Sequence, residues 1–229
     1  MAYQLALGVK LRDGSVFESF LAADNQSVVD ALRNVRAGEA PTCVFLQGAQ
    51  GAGKTHLLQA LCVTTGQRRL TATYLPLREL VDMSPDVVSG CGELDCVCVD
   101  DIERIAGRAD WERAIFALHQ HLDEHQGRLV VTSTLAPAVS GIELPDLRSR
   151  LAGGLVLTLQ PLDEAGQIAA LQLRAQIRGF DLPLDTAQYL LRRLPRDMAS
   201  LCEFLDQLDE ASLAAQRRLT VPFVREVMK

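Results

Sequence analysis

The chain has 229 residues, 48% of them apolar, and carries 23 Lys and Arg against 29 Asp and Glu, a formal net charge of −6. That length suits one medium domain or a core domain with a small appendage, and the apolar share excludes a disordered chain. No stretch approaches the ~20 apolar residues of a membrane-spanning helix, and the acidic balance weighs against a stand-alone DNA binder, which usually carries a basic face.

The N-terminal MAYQLALGVKLRDG has no basic n-region and no long apolar run, so no secretory signal is expected and the reading is cytoplasmic. Within it, QLALGV (4–9) places alternating apolar residues after a Gln. It reads either as a first strand or as an extended peptide that docks in a partner's groove. CVFLQ (43–47) reads as a buried strand, and Leu57, Leu58, Leu61 and Cys62 follow at helical spacing. ATYLPL (72–77) predicts a second strand, and LDCVCVDD (94–101) a third that ends in two acids. WERAIFALHQHLDEHQG (111–127) predicts a helix stopped by Gly127, RLVVTST (128–134) a fourth strand, and LVLTL (155–159) a fifth. Strands alternating with helices imply an α/β fold, a mostly parallel sheet covered on both faces.

The pattern changes at Gln160-Pro161, beyond which only helices are expected. Asp163 is placed to cap a helix that ends near Gly179, and LDTAQYLLRRL gives a second. Met198, Leu201, Leu205 and Leu208 form the apolar stripe of a third. Thr220 is placed to cap a last short one, with Pro222 in its first turn. This predicts a small all-α domain at 161–229 after an α/β domain at 13–160.

The six cysteines show no CxxC pairing, and Cys43, Cys96 and Cys98 lie in apolar strand-like runs where a thiol acts as a small hydrophobe. His121 and His125 share a helix face, with His119 on the same helix, but no third ligand stands out and a polar face is expected.

The strongest chemical signal is Gly48-Ala-Gln-Gly51-Ala52-Gly53-Lys54-Thr55, which matches GxxxxGK[ST] between a strand and a helix. Such glycines turn backbone N–H groups toward phosphates, the Lys reaches the terminal phosphates, and the Thr hydroxyl suits Mg²⁺. The set assigned to a nucleotide, ADP or ATP with Mg²⁺, is Gly48, Gly51, Ala52, Gly53, Lys54, Thr55 and His56. Asp100 and Asp101 end an apolar strand, where an Asp holds the Mg²⁺ shell and the next acid orients a water. Thr55 and Asp100 are therefore the metal residues, through Mg²⁺. Thr132, at the end of the next strand, is expected to face the γ-phosphate region. From spacing alone Arg150 is either an arginine finger for a neighbouring subunit's phosphate or half of a surface salt bridge, and the spacing favours the salt bridge.

The order GAQGAGKTH, VDDIERIAG, LPDLRSRL, RGFDLP and LDQLDEASLAAQRRLTVPFVREVM resembles the AAA+ module of the bacterial initiator family DnaA. It is more similar to the DnaA-related regulatory family Hda, which inactivates the initiator, and the resemblance runs over essentially the whole chain. It implies an AAA+ P-loop domain followed by a helical lid. It also implies that Gln4, Leu5, Leu7 and Val9, within a peptide spanning 1–12, bind the sliding clamp, the beta subunit of DNA polymerase III. Arg150 falls on the family's arginine finger, directed at ATP bound to the initiator DnaA. Phe17, Phe20 and Leu21, in VFESFLAADN, align with the adenine-side box. Ala199 stands where the initiator has a sensor Arg, and Thr134 where family members commonly have Asp, so little intrinsic hydrolysis is expected. The chain stops at Lys229 without room for the initiator's helix-turn-helix domain, so DNA is expected to be reached only through the clamp. The partners implied are DnaA and the clamp, with no membrane and with room for a homo-oligomer. Two other readings compete: an independent motor or helicase-loader ATPase, which would turn over ATP alone, and a DNA-binding initiator paralogue, which would bind duplex in a salt-sensitive way.

Overall fold

The computed structural model describes residues 15–36, 38, 41–195, 197–215, 217 and 219–228. Five parallel strands form one sheet: β1 (Cys43–Gly48), β2 (Ala72–Pro76), β3 (Cys96–Asp100), β4 (Arg128–Ser133) and β5 (Leu155–Leu159). Their order across the sheet is β2-β3-β4-β1-β5. α1 (Gln26–Arg33) precedes β1, and helices fill the crossovers: α2 (Lys54–Gln67) after β1 and the one-turn α3 (Leu77–Leu80) after β2. α4 (Ala109–Glu124) and α5 (Pro145–Gly153) flank β4. Parallel strands require such crossovers, and a strand covered on both faces is apolar throughout rather than alternating. All five β3 positions are buried accordingly.

Strand parity sorts the two faces. Cys43, Phe45, Leu75, Val97, Val99, Leu129 and Val131 join one core with Trp111, Ile115, Leu118 and Leu122 of α4. The opposite parity carries Val44, Leu46, Tyr74, Cys98, Val130, Thr132 and Asp100, because Tyr74 pairs with Cys98, Cys98 with Val130, and Leu46 with Thr132. Thr55, Gln59 and Cys62 of α2 meet this second face, as the hydrogen bonds of Thr55 to Asp100 and of Gln59 to Tyr74 require.

Two local expectations change. α4 ends at Glu124, before Gly127, and the left-handed residue of the turn is Gln126 (φ 59°). Gly127 serves a close approach instead, since a Cβ there would lie 2.6 Å from the Leu94 carbonyl oxygen. Thr220 does precede the last helix, but its side chain makes no capping hydrogen bond. Asp163 behaves as expected and accepts from the Gly166 N–H at 2.7 Å.

The described residues divide into two compact units. One holds the sheet, within 15–17, 24–49 and 54–160; the other holds 18–23, 50–53 and 161–228. The second unit contains α6 (Glu164–Ile177), α7 (Leu184–Arg193), α8 (Met198–Ala215) and α9 (Val221–Val227). Its core is built from Leu171, Leu190, Leu201, Leu205, Leu208 and Phe223, among others. No helix among the described residues is long and apolar enough to cross a membrane.

Candidate functional site

The loop between β1 and α2 is shaped by its glycines. Gly51 has φ 78° and Gly53 φ 99°, backbone conformations that side-chain-bearing residues rarely adopt. Gly53 also lies under Phe20, whose Cε2 would be 2.6 Å from a Cβ at that position. Ala52 between them is buried. Lys54 is buried and its ammonium folds back along the loop, donating to the carbonyls of Gly48 at 2.7 Å and Ala49 at 3.0 Å. Burial pushes its pKa below the ordinary value, against the opposing pull of Asp101, Glu103 and Asp100.

Asp100, at the carboxyl end of β3, collects three hydroxyls. Thr55 Oγ1 donates to Oδ2 at 2.6 Å, Tyr74 OH donates to the same oxygen at 2.7 Å, and Thr132 Oγ1 donates to Oδ1. Thr132 in turn accepts from the Asp101 N–H at 3.0 Å. Thr132 has no exposed surface. Its hydroxyl is therefore taken up inside the network, between Asp100 and the Asp101 N–H.

Asp101 turns away from this network. It sits in the left-handed region (φ 60°, ψ 55°) and pairs with Arg78 at 3.2 Å. Burial raises its pKa, with help from Asp100 and Glu103, while Arg78 and Lys54 oppose the rise. Glu103 accepts from both the N–H and the hydroxyl of Thr134, at 3.0 and 2.7 Å. Its burial would raise its pKa, but the donors of Thr134 and Ser133 outweigh that and hold it low.

Arg150 stands exposed near the end of α5, and among the described residues no hydrogen bond or ion pair engages it. Its neighbour Arg148 instead donates to the Ile142 carbonyl at 3.3 Å. His119 of α4 is buried, not part of a solvated polar face; burial and the nearby Arg150 charge lower its pKa. Phe17 is buried, with the Arg33 guanidinium 5.2 Å from its ring centroid, while Phe20 and Leu21 are half-buried. His56 Nε2 donates to the Val16 carbonyl at 2.9 Å, so it anchors the segment before Phe17. The expected peptide residues Gln4, Leu5, Leu7 and Val9 lie outside the described residues.

The arrangement has the chemistry of a polyphosphate and hard-cation site. It combines a glycine loop at a helix N-terminus, an ammonium bonded to loop carbonyls, and a hydroxyl–carboxylate pair of the kind Mg²⁺ takes. Tyr74, Arg78 and Glu103 are the members that sequence reasoning missed. Their signal is strand register: Pro76 at the end of β2 pairs with Asp100, which sets Tyr74 two residues back on the carboxylate's own face.

Residues 11–158 match the family of bacterial DnaA ATPase domains. Residues 163–228 match the Hda lid domain. Among solved structures, the chain is similar to domain III of the replication initiation protein DnaA from Thermotoga maritima, at 20% identity and TM-score 0.76, over 96% of this chain and 97% of that one. AMPPCP-bound DnaA from Aquifex aeolicus is similar at 20% identity and TM-score 0.69, over 88% of this chain and 67% of that one. The RuvB Holliday junction branch migration motor of Thermotoga maritima shares the fold at 16% identity and TM-score 0.62, over 93% and 72% of the two chains.

Proposed function

Because the chain belongs to the family of bacterial DnaA ATPase domains, we propose that it is a negative regulator of DNA replication initiation that drives hydrolysis of the ATP bound to the initiator DnaA. In this reading residues 13–160 hold the nucleotide, 161–229 are the lid and 1–12 are the peptide that docks on the DNA-loaded sliding clamp. DNA is reached only through that clamp. The match of 163–228 to the Hda lid domain supports the regulator over an initiator.

The chain's own nucleotide, ADP or ATP, is held by the loop from Gly48 to Thr55, with Lys54 on the phosphates and Thr55 and Asp100 toward Mg²⁺. Phe17, Phe20 and Leu21 are the residues assigned to the adenine side. The bound Mg²⁺-nucleotide supplies the phosphate charge that the glycine loop and Lys54 are built to neutralise. Hydrolysis at this site is weak. Asp101, the acid expected to orient water, is paired with Arg78; Thr134 is tied to Glu103; and Ala199 offers no cation.

The active group is Arg150. The observation that supports this reading is that the guanidinium is exposed on α5, with no hydrogen bond or ion pair to it among the described residues. Offered to the initiator's γ-phosphate, it stabilises charge that develops in the transition state, an effect of about 10³–10⁵ in rate for such fingers. The test compares the wild-type chain with Arg150→Ala in single-turnover hydrolysis of initiator-bound ATP, with clamp loaded on DNA. Acceleration that collapses by at least about 10²-fold in the variant, with clamp binding intact, supports the assignment. Equal acceleration by both forms would remove Arg150 from it.

A further inference from the structure

A carboxylate offers about four acceptor positions, two on each oxygen. At Asp100 both positions of Oδ2 are taken, by Thr55 at 2.6 Å and Tyr74 at 2.7 Å, and one of Oδ1 is taken by Thr132. One acceptor position remains among the described residues. The carboxylate is thereby fixed at both ends, and what it presents outward is set by its three hydroxyl partners.

Thr55 is the least constrained of these partners, since it is exposed at the start of α2. Thr132 and Tyr74 are buried. Tyr74 reaches Asp100 from the neighbouring strand, where Pro76 pairs with Asp100 and Tyr74 with Cys98. Its oxygen is also bonded by Gln59, one turn along α2 from Thr55. The phenol thus links β2, β3 and α2 at a single oxygen. Burial and the Asp100 charge push its pKa up, which keeps it a donor.

We propose that Tyr74 is a positioning residue of the Mg²⁺ site: its hydroxyl locks Asp100 Oδ2 beside Thr55, so that the carboxylate presents its remaining acceptor position in one fixed orientation. This rests on the nucleotide reading given above. Without the phenol, Asp100 keeps Thr132 on Oδ1, but Oδ2 loses its buried donor and is held only by the exposed Thr55, so the carboxylate is less tightly fixed. Partners of this kind, one bond removed from a metal ligand, typically govern metal affinity by about 10–100-fold. A residue that merely fills the core would affect the site equally with and without the cation.

The experiment measures binding of fluorescent ADP to the full chain across a Mg²⁺ titration and in EDTA, for wild type and Tyr74→Phe. The expected result is that the variant needs about 10-fold more Mg²⁺ to reach half-maximal tightening, while its affinity in EDTA stays within about twofold of wild type. Thr132→Val, which removes the Oδ1 donor, shifts the Mg²⁺ requirement in the same direction and serves if Tyr74→Phe does not fold. A wild-type Mg²⁺ effect that Tyr74→Phe leaves unchanged, or a variant weakened equally in Mg²⁺ and EDTA, overturns the positioning role alone. A wild-type chain whose ADP binding ignores Mg²⁺ overturns the Mg²⁺ site itself, and the role of Tyr74 with it.

Discussion

Gly51 and Gly53 both take positive φ, yet the two positions are not equivalent. A Cβ at Gly51 would meet Asp197 Cβ at 3.4 Å, an ordinary contact, whereas one at Gly53 would fall 2.6 Å from Phe20 Cε2. Gly51→Ala is expected to cost about 1–2 kcal/mol through the left-handed backbone alone. Gly53→Ala is expected to cost about 1–3 kcal/mol more, because the ring must also move from its place. Urea unfolding of the nucleotide-free variants checks the order; equal midpoints would show that Phe20 yields freely. The glycine spacing was legible in the sequence because the motif encodes a backbone shape. The ring above Gly53 was not, because that contact spans more than thirty positions of chain. The same holds for Arg78: its pairing with Asp101 depends on where β2 lies beside β3.

At the scale of elements, the strands and helices follow closely from apolar runs and caps. β3 was expected over 94–101 and runs over Cys96–Asp100, and α6 starts where Asp163 caps it. Periodicity does not tell which polar residues of a helix turn inward. In α4 the apolar stripe Trp111, Ile115, Leu118 and Leu122 is joined in the interior by Glu112, which is 1% exposed. Its carboxylate accepts from the backbone N–H groups of Gly107 at 2.8 Å, Glu143 at 3.1 Å and Leu144 at 2.7 Å. Glu143 and Leu144 lead directly into α5, so this one side chain anchors the base of the helix that carries Arg150. Glu112→Ala strands several buried donors and is expected to cost about 2–4 kcal/mol. Hydrogen exchange locates the effect: the amides of residues 143–153 should lose protection while those of α2 keep it. Uniform loss across both helices would make Glu112 a general core residue instead.

In the molecule as a whole, the parallel sheet was legible because doubly covered strands read as continuous apolar runs, and the helical segment that follows it was legible because strand patterns cease after β5. What the sequence could not reveal is how the acids at and after the end of β3 are engaged. Asp100 is held by three hydroxyls, Asp101 by Arg78 and Glu103 by Thr134, while Arg150 is left unengaged among the described residues. That division underlies the central claim, that this chain acts on another protein's nucleotide more than on its own. The most direct measurement places the label in each partner in turn. With γ-labelled ATP on the initiator, unlabelled ADP on this chain and clamp loaded on DNA, phosphate release should rise by about 10³-fold or more over the initiator alone. With the label offered to this chain by itself, release should stay near background. Fast release by the isolated chain, with the initiator's label retained in the mixed reaction, would contradict the account and identify an independent ATPase.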